Sequence, residues 1–442
     1  MYDVPKETQK HRAGTMSTST RVEIAVIGGG AKAAALAAKA FALRRARIAD
    51  VHVTVFEQSE IGAHWNGKRG YTDGKQRLCT PAERDVGFPY SSMYGEQVDA
   101  ELYAQFSWAS YLLSTPQGYS RWVDAGRQAP THQDFADYLR WTVKRSGAAK
   151  VVTRVEGLRP SGAKWRIQHR TASRSLGLAS STDFDGVVVS GPGPARRVPL
   201  SGATNRVFDG ADFWQSLKDV AKVLRKTDVA AQIAIVGAGG SAAAVLAWLT
   251  RNGYKDHEIV MVADQAALFT RGDSVFENRL FSDEAAWQAL SKKSRQDFFN
   301  RLNRGVVWGT VMDQVSSASR LVFLDGRAKS VKADSTGSVD VEVERGDGAT
   351  VTLRPGLVVD ASGFEPWWFL ELIRALPVKD RRSPAFQQGL QDGMGPGLDF
   401  QGPAWPFPRL HAPFVSSAIG PGFGTLMSLG GMSDRILRGY HA

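Results

Sequence analysis

A chain of 442 residues with 43% hydrophobic content is long enough for two or three globular domains, and none of its apolar runs reaches the about 20 residues that span a bilayer. Its one cysteine, Cys79, excludes a disulfide framework, a thiolate zinc site and an intrachain dithiol redox centre. The net charge of +11, from 55 Lys and Arg against 44 Asp and Glu, raises nucleic-acid binding, but the basic residues are scattered, no zinc finger or RNP motif is present, and the charge reads as solvated surface.

From the N-terminus, residues 1–20 are polar and lack the apolar core of a signal peptide. They read as a disordered extension of a cytoplasmic protein. Residues 22–34 read V-E-I-A-V-I-G-G-G-A-K-A-A. The Val- and Ile-rich run has the pattern of a buried parallel strand, and an Ala-rich helix follows to about Arg44. Gly28, Gly29 and Gly30 permit a tight turn and the close approach of a pyrophosphate. The helix start adds free N–H groups and the positive end of a dipole. The next strand, residues 52–56, ends in Glu57, where an acid commonly receives the ribose hydroxyls of a dinucleotide. A tight turn in an α/β protein without a nucleotide is the blander alternative.

A long irregular stretch, residues 61–94, is rich in Gly, Asp and aromatics, and such length is unusual unless it lines something. Helical patterns cover residues 100–114 and 132–146, the second with Thr131 as N-cap and Asp134 three residues on. Residues 151–158, 164–169 and 184–190 read as strands. The opening pattern then returns. An apolar strand at 232–236 runs into Gly237-Ala238-Gly239-Gly240-Ser241-Ala242, a helix extends to about Thr250, and a strand follows at 257–263. Two such fingerprints suggest two nucleotide sites, one for a flavin and one for a nicotinamide, or a duplicated fold that has lost one site. Residues 264–313 read as a small helical insertion, strands return at 320–324, 339–344 and 350–360, and a final helix runs to about Leu437.

With these elements in place, the chain resembles the flavin-dependent N-hydroxylating monooxygenases, in particular those acting on lysine in mycobactin- and nocobactin-type siderophore pathways. The resemblance begins near residue 21 and rests on W-N-G at 65–67, Y-T-D-G at 71–74, R-D-V-G-F-P-Y at 84–90 and L-F-T-R-G at 268–272. It rests also on F-E-N-R-L-F-S-D at 276–283, R-G-V at 304–306 and D-A-S-G at 360–363. It implies an α/β fold with two Rossmann-like dinucleotide-binding domains, for FAD and NADPH, and a small helical substrate-binding insertion. The expected boundaries are 21–205 with 364–442 for FAD, 206–265 with 315–363 for NADPH, and 266–314 for substrate. The implied reaction is hydroxylation of the L-lysine side-chain amine by O2 through a flavin C4a-hydroperoxide.

By the same resemblance Gly28, Gly30 and Glu57 serve FAD, Trp65 packs near the isoalloxazine, and Gly237, Gly239 and Ser241 serve NADPH. Arg84 stands where the family has a lysine that holds the substrate carboxylate, and keeps its charge. Asn278, Asn303 and Ser428 fall on or near family positions at the substrate. Two departures stand out. Gly240 replaces a common glutamine, and Asp264 lies where the family has an arginine that grips the adenosine end of NADPH. Arg271 is a candidate replacement. Weak NADPH binding, or reduction poorly coupled to hydroxylation, is therefore expected. L-ornithine N5-hydroxylation is the alternative reaction, since one methylene changes selectivity by only roughly 1–3 kcal/mol. A flavin- or NADPH-binding sensor without turnover is the alternative of another class. A homo-oligomer stays open, and neither a membrane, a nucleic acid nor a metal is expected as partner.

Overall fold

The computed structural model describes residues 20–68, 70–170, 182–228, 231–265, 267–270, 274–302, 306–307 and 309–440. The expected N-terminal extension lies outside the described residues up to residue 19.

Two parallel five-stranded sheets organise the described chain. The first runs in the order Leu410–His411, Gly186–Val189, Val22–Ile27, Val51–Glu57, Ala149–Val152, with every neighbouring pair parallel. The second runs Leu321–Asp325, Ile259–Ala263, Ile233–Val236, Leu357–Asp360, Val207–Asp209, again parallel throughout. The central strands are apolar without alternation because both faces are covered. Ile24, Ala25 and Val26, like Ile233, Ala234 and Ile235, are fully buried. Each large aliphatic side chain buried this way contributes roughly 1.5–3 kcal/mol.

The helix Ala31–Arg45 lies on the first sheet through a face of buried alanines, among them Ala33, Ala34, Ala37 and Ala38. Small side chains bring its axis close to the strands; a leucine at Ala34 would overpack this contact by about 1–3 kcal/mol. The helix Gly240–Arg251 repeats the arrangement on the second sheet with Ala242, Ala243 and Ala247. Both helices start from a glycine, Gly30 and Gly239, with no side-chain cap, so their first N–H groups are left to other partners.

Between Ile259–Ala263 and Leu321–Asp325 come the helices Val275–Leu280, Glu284–Gln288, Lys292–Leu302 and Gly309–Val315, with the short parallel pair Phe269–Thr270 and Val306–Val307. Ser274 and Asp283 cap the first two by accepting from the backbone N–H of Glu277 and Ala286. Phe281, Trp287, Phe298 and Met427 make a small apolar core there. The ion pair of Asp73 with Arg251 ties the first unit to the second.

The expected helix at 100–114 is two helices, Glu96–Phe106 and Trp108–Leu113. Ser107 leaves helical conformation with ψ 157° and its hydroxyl caps the second at Ser110. The expected strand at 151–158 is likewise divided, Ala149–Val152 joining the first sheet and Val155–Ser161 a separate antiparallel one. Residues 350–360 form two strands, Thr350–Leu353 and Leu357–Asp360, broken at Pro355-Gly356, whose glycine N–H donates to the Gln232 carbonyl (2.8 Å). Among the described residues no helix is long and apolar enough to cross a membrane.

Candidate active site

The loop after the first strand is held open by its own conformation. Gly28 has φ +99°, the left-handed region, and a Cβ there would lie 2.6 Å from the Ser190 hydroxyl. That hydroxyl donates to the carbonyls of Gly28 (2.7 Å) and Ile27 (3.0 Å), pinning the loop to the neighbouring strand. Glu57 accepts from the Gly29 N–H (2.7 Å) and the Ser59 N–H (3.1 Å), which fixes its carboxylate at the lip of the loop. Among the described residues nothing lies within 4 Å of where a Cβ would stand on Gly30. Small backbone, an uncapped helix start and empty space together make an anion cradle.

This cradle opens into a cavity of about 410 Å³, within the size range of small-molecule sites. Gly28, Gly30, Glu57 and Trp65 all line it. Trp65 is held edge-on against His132 (5.1 Å) and Phe135 (5.5 Å). His132 Nδ1 meets the Thr72 hydroxyl at 2.7 Å, and burial lowers its pKa to about 4, so the ring is neutral at pH 7.

Two lining residues went unmarked in the sequence. Lys32, second in the helix Ala31–Arg45, lines the cavity, and burial lowers its ammonium to about 8. Gln76 lines it with a buried side-chain oxygen that has no hydrogen-bond partner among the described residues. A half-buried cation beside an uncapped helix start and an orphaned amide oxygen are what a bound dinucleotide diphosphate and a polar ring edge would satisfy. The residues present therefore fit a flavin nucleotide.

The second loop is built alike. Gly237 has φ +103°, with a Cβ position 2.6 Å from the Ala361 carbonyl oxygen, and no atom of the described residues lies within 4 Å of the Cβ positions of Gly239 and Gly240. Gly240 and Ser241 also line the first cavity, so the two helix starts share one wall. Asp264 is exposed and pairs with Arg327 at 2.9 Å. Arg271 and Asn303 lie outside the described residues.

Three candidate substrate residues come together from distant parts of the chain. Arg84 donates to the carbonyls of Met427 (2.8 Å) and Asn278 (3.4 Å), and its guanidinium lies over the Phe88 ring at 4.5 Å. The arginine thus joins the helix Val275–Leu280 to the C-terminal segment ahead of Ser428. Ser428 is buried and faces a neighbouring cavity of about 560 Å³ with Phe281, Trp287 and Phe423, whereas Leu426 faces the first cavity. Asp85 turns inward. It accepts from the Tyr90 hydroxyl (2.7 Å) and the backbone N–H groups of Trp108 (2.8 Å) and Gly87 (3.0 Å), and burial raises its carboxyl to about 6. These bonds fix the turn that carries Arg84.

Two Rossmann units meeting at one cavity define an oxidoreductase that pairs a flavin with a nicotinamide nucleotide. The sequence profile of the L-lysine 6-monooxygenase/L-ornithine 5-monooxygenase family matches residues 101–325. The L-lysine N6-monooxygenase MbtG of Mycobacterium sp. (strain MCS) is 36% identical over 424 residues, 94% of each chain. The structure of lysine monooxygenase NbtG from Nocardia farcinica, described as having an unprecedented NADPH domain conformation, superposes with a TM-score of 0.76 at 31% identity, covering 94% of this chain and 99% of that one. An ornithine N-hydroxylase from Kutzneria sp. 744 shares the fold, with a TM-score of 0.67 at 16% identity over 95% and 99% of the two chains. The chain belongs to the L-lysine 6-monooxygenase/L-ornithine 5-monooxygenase family.

Proposed function

We propose that the protein is an FAD- and NADPH-dependent L-lysine N6-monooxygenase of siderophore biosynthesis. It converts L-lysine, O2, NADPH and a proton to N6-hydroxylysine, water and NADP+. The observation that carries this reading is the meeting of two glycine-loop helix starts at one cavity, in a chain 36% identical over 424 residues to an L-lysine N6-monooxygenase. In this reading residues 21–205 with 364–442 form the FAD domain, 206–265 with 315–363 the NADPH domain and 266–314 the substrate domain.

Bound FAD, reduced by NADPH, supplies the activation of O2. Gly28, Gly30, Glu57 and Lys32 hold the flavin nucleotide, and Trp65 packs beside its ring system. Gly237, Gly239 and Ser241 receive the nicotinamide nucleotide. Arg84, Asn278 and Ser428 are assigned to the amino-acid end of lysine, and the sequence resemblance adds Asn303 to that set. The side-chain ammonium has no lone pair and must lose its proton before it can react. Free lysine titrates near ~10.4, and transfer into an apolar pocket lowers that value. Leu78, Trp65, Phe364 and Leu426 supply apolar walling and exclude water. Asp264 and Gly240 support a weak grip on NADPH, with part of the reducing power lost to H2O2.

The test follows NADPH oxidation, H2O2 and hydroxylated amine together, with FAD saturating, for L-lysine and L-ornithine. Product from lysine with little from ornithine is expected, alongside measurable H2O2. Product from ornithine alone, or from neither amine at full FAD occupancy, overturns the lysine reading.

A further inference from the structure

We propose that the cavity of about 560 Å³ along the helix Leu429–Arg438 is a second binding site, for a small monocarboxylate with an apolar body whose charge is held at Arg435 and Arg438. The site is separate from the flavin cavity: among the described residues the two linings have none in common.

The shape follows from the helix. Ser428, Gly431, Arg435 and Arg438 recur every three or four residues, so the cavity runs along one face of it. The helix has 10 residues and rises by about 15 Å, which sets Arg438 a full helix length from Ser428 and the turn that carries Arg84. Phe281, Trp287 and Phe423, all buried, give the cavity an apolar wall together with Leu280 and Ile419. Such a wall takes hydrocarbon; a ligand rich in hydroxyls would leave them unpaired there.

Charge decides what sits at the other end. Of the carboxylates that line the cavity, Asp283 pairs with Arg279 (2.7 Å) and Asp434 with Lys39 (2.5 Å), so neither adds free charge. Arg435 pairs with Glu284 and donates to the Pro396 carbonyl (2.8 Å), yet its Nε is buried without a hydrogen-bond partner among the described residues. Arg438 lines the cavity with no ion pair among the described residues. Burial, and after it the Arg438 charge, lower the Arg435 guanidinium below its usual range. Two cations thus share this end with one acid, and a surplus of one positive charge remains. A helix C-terminus favours cations, but it leaves that surplus facing whatever fills the cavity. A carboxylate matches the surplus at Arg438 and reaches Arg435 by exchanging with Glu284. The Glu284 side chain is 52% exposed, so it gives way to a ligand at little cost.

Octanoate and 2-naphthoate are titrated calorimetrically into the FAD-loaded protein at saturating L-lysine and NADP+, with octylammonium as the control of opposite charge. A dissociation constant of about 0.1–1 mM is expected for a carboxylate of this size, with octylammonium about tenfold weaker or more. Binding of either carboxylate supports the proposal, and the comparison tells an aliphatic ligand from an aromatic one. Arg438→Gln is expected to weaken the carboxylate about fivefold, and Glu284→Gln, which frees Arg435, to tighten it about threefold. Met93 lines the cavity and is 51% exposed, so Met93→Glu adds a like charge at the mouth without touching the core and should weaken binding about fivefold. Octylammonium binding as tightly as octanoate, carboxylate binding that appears only without lysine, affinities unmoved by both Arg438→Gln and Glu284→Gln, or no binding below about 10 mM each overturns the proposal. A dimer in sedimentation that Met93→Glu dissolves assigns the cavity to a second copy of the chain and overturns it as well. None of these outcomes bears on the hydroxylase reading, which is judged by product from lysine.

Discussion

Replacing Lys32 with methionine removes the half-buried cation from the first nucleotide cradle, and the result is expected to be a pH-dependent loss of FAD affinity. Lys32 lines the cavity beside Gly28 and Gly30, its ammonium is lowered from 10.5 to about 8 by burial, and among the described residues no carboxylate pairs with it. A bound diphosphate favours the ammonium and raises its pKa above the ligand-free value. Binding therefore takes up a proton when the ligand-free lysine is neutral. The contribution is complete below about pH 8 and is lost as pH rises through that value toward the pKa of the complex. Each pH unit in that window weakens binding by about tenfold, or about 1.4 kcal/mol. At pH 7 a charge-assisted hydrogen bond contributes roughly 1.5–3 kcal/mol, so Lys32→Met should raise the FAD dissociation constant by about ten- to hundredfold. The assay is titration of the deflavinated protein with FAD by flavin fluorescence between about pH 6 and 10, a range that brackets the lysine. Wild-type affinity should be flat and then fall above pH 8, Lys32→Met should be weak and without that fall, and Lys32→Arg should retain affinity across the range. A flat wild-type profile, or the same fall in Lys32→Met, refutes the assignment.

Gly28→Ala forces a side chain into φ +99° and onto the Ser190 hydroxyl, and should destabilise the fold by roughly 1–3 kcal/mol, seen as a lower Tm and reduced flavin content after purification. Asp85→Asn turns an amide donor toward a backbone N–H and should cost about 1–3 kcal/mol in chemical denaturation. Because burial raises the wild-type Asp85 carboxyl from 3.8 to about 6, the folded state holds this proton more tightly than the unfolded chain. The Asp85 term therefore weakens stability as pH rises from about 4 to 6, and that slope should vanish in the asparagine variant. Arg84→Lys loses the paired donation to Met427 and Asn278, and should raise the KM for lysine about tenfold while FAD content stays unchanged. An unchanged KM removes Arg84 from the substrate site.

Much of the nucleotide cradle was legible because the chemistry there is local. A glycine loop between an apolar strand and an alanine helix has few alternatives, and Thr131 with Asp134 marked the start of His132–Ser146 through a capping box. Breaks in regular structure were less legible, because Ser107 or Thr153 resembles any polar residue in a periodic run. The strand Arg327–Ala333 went unseen since of its seven residues only Val331 is buried, and long-range pairing with Val339–Glu344 and Leu200–Ser201 holds it. Lys32 was hidden for a related reason: a lysine in a helix ordinarily reaches water. The partners of Arg84 are separated from it by 194 and 343 positions, and no local pattern announces them.

The wall shared by Gly30 and Gly240 carries a consequence for how the protein ages. Neither unit closes the flavin chamber by itself, so the chamber is only as durable as the seam between them. The Asp73–Arg251 pair is one stitch in that seam. Heating that loosens the nicotinamide half unroofs the flavin half while the latter is still folded. Release of yellow colour should then precede, rather than accompany, the collapse of the first sheet.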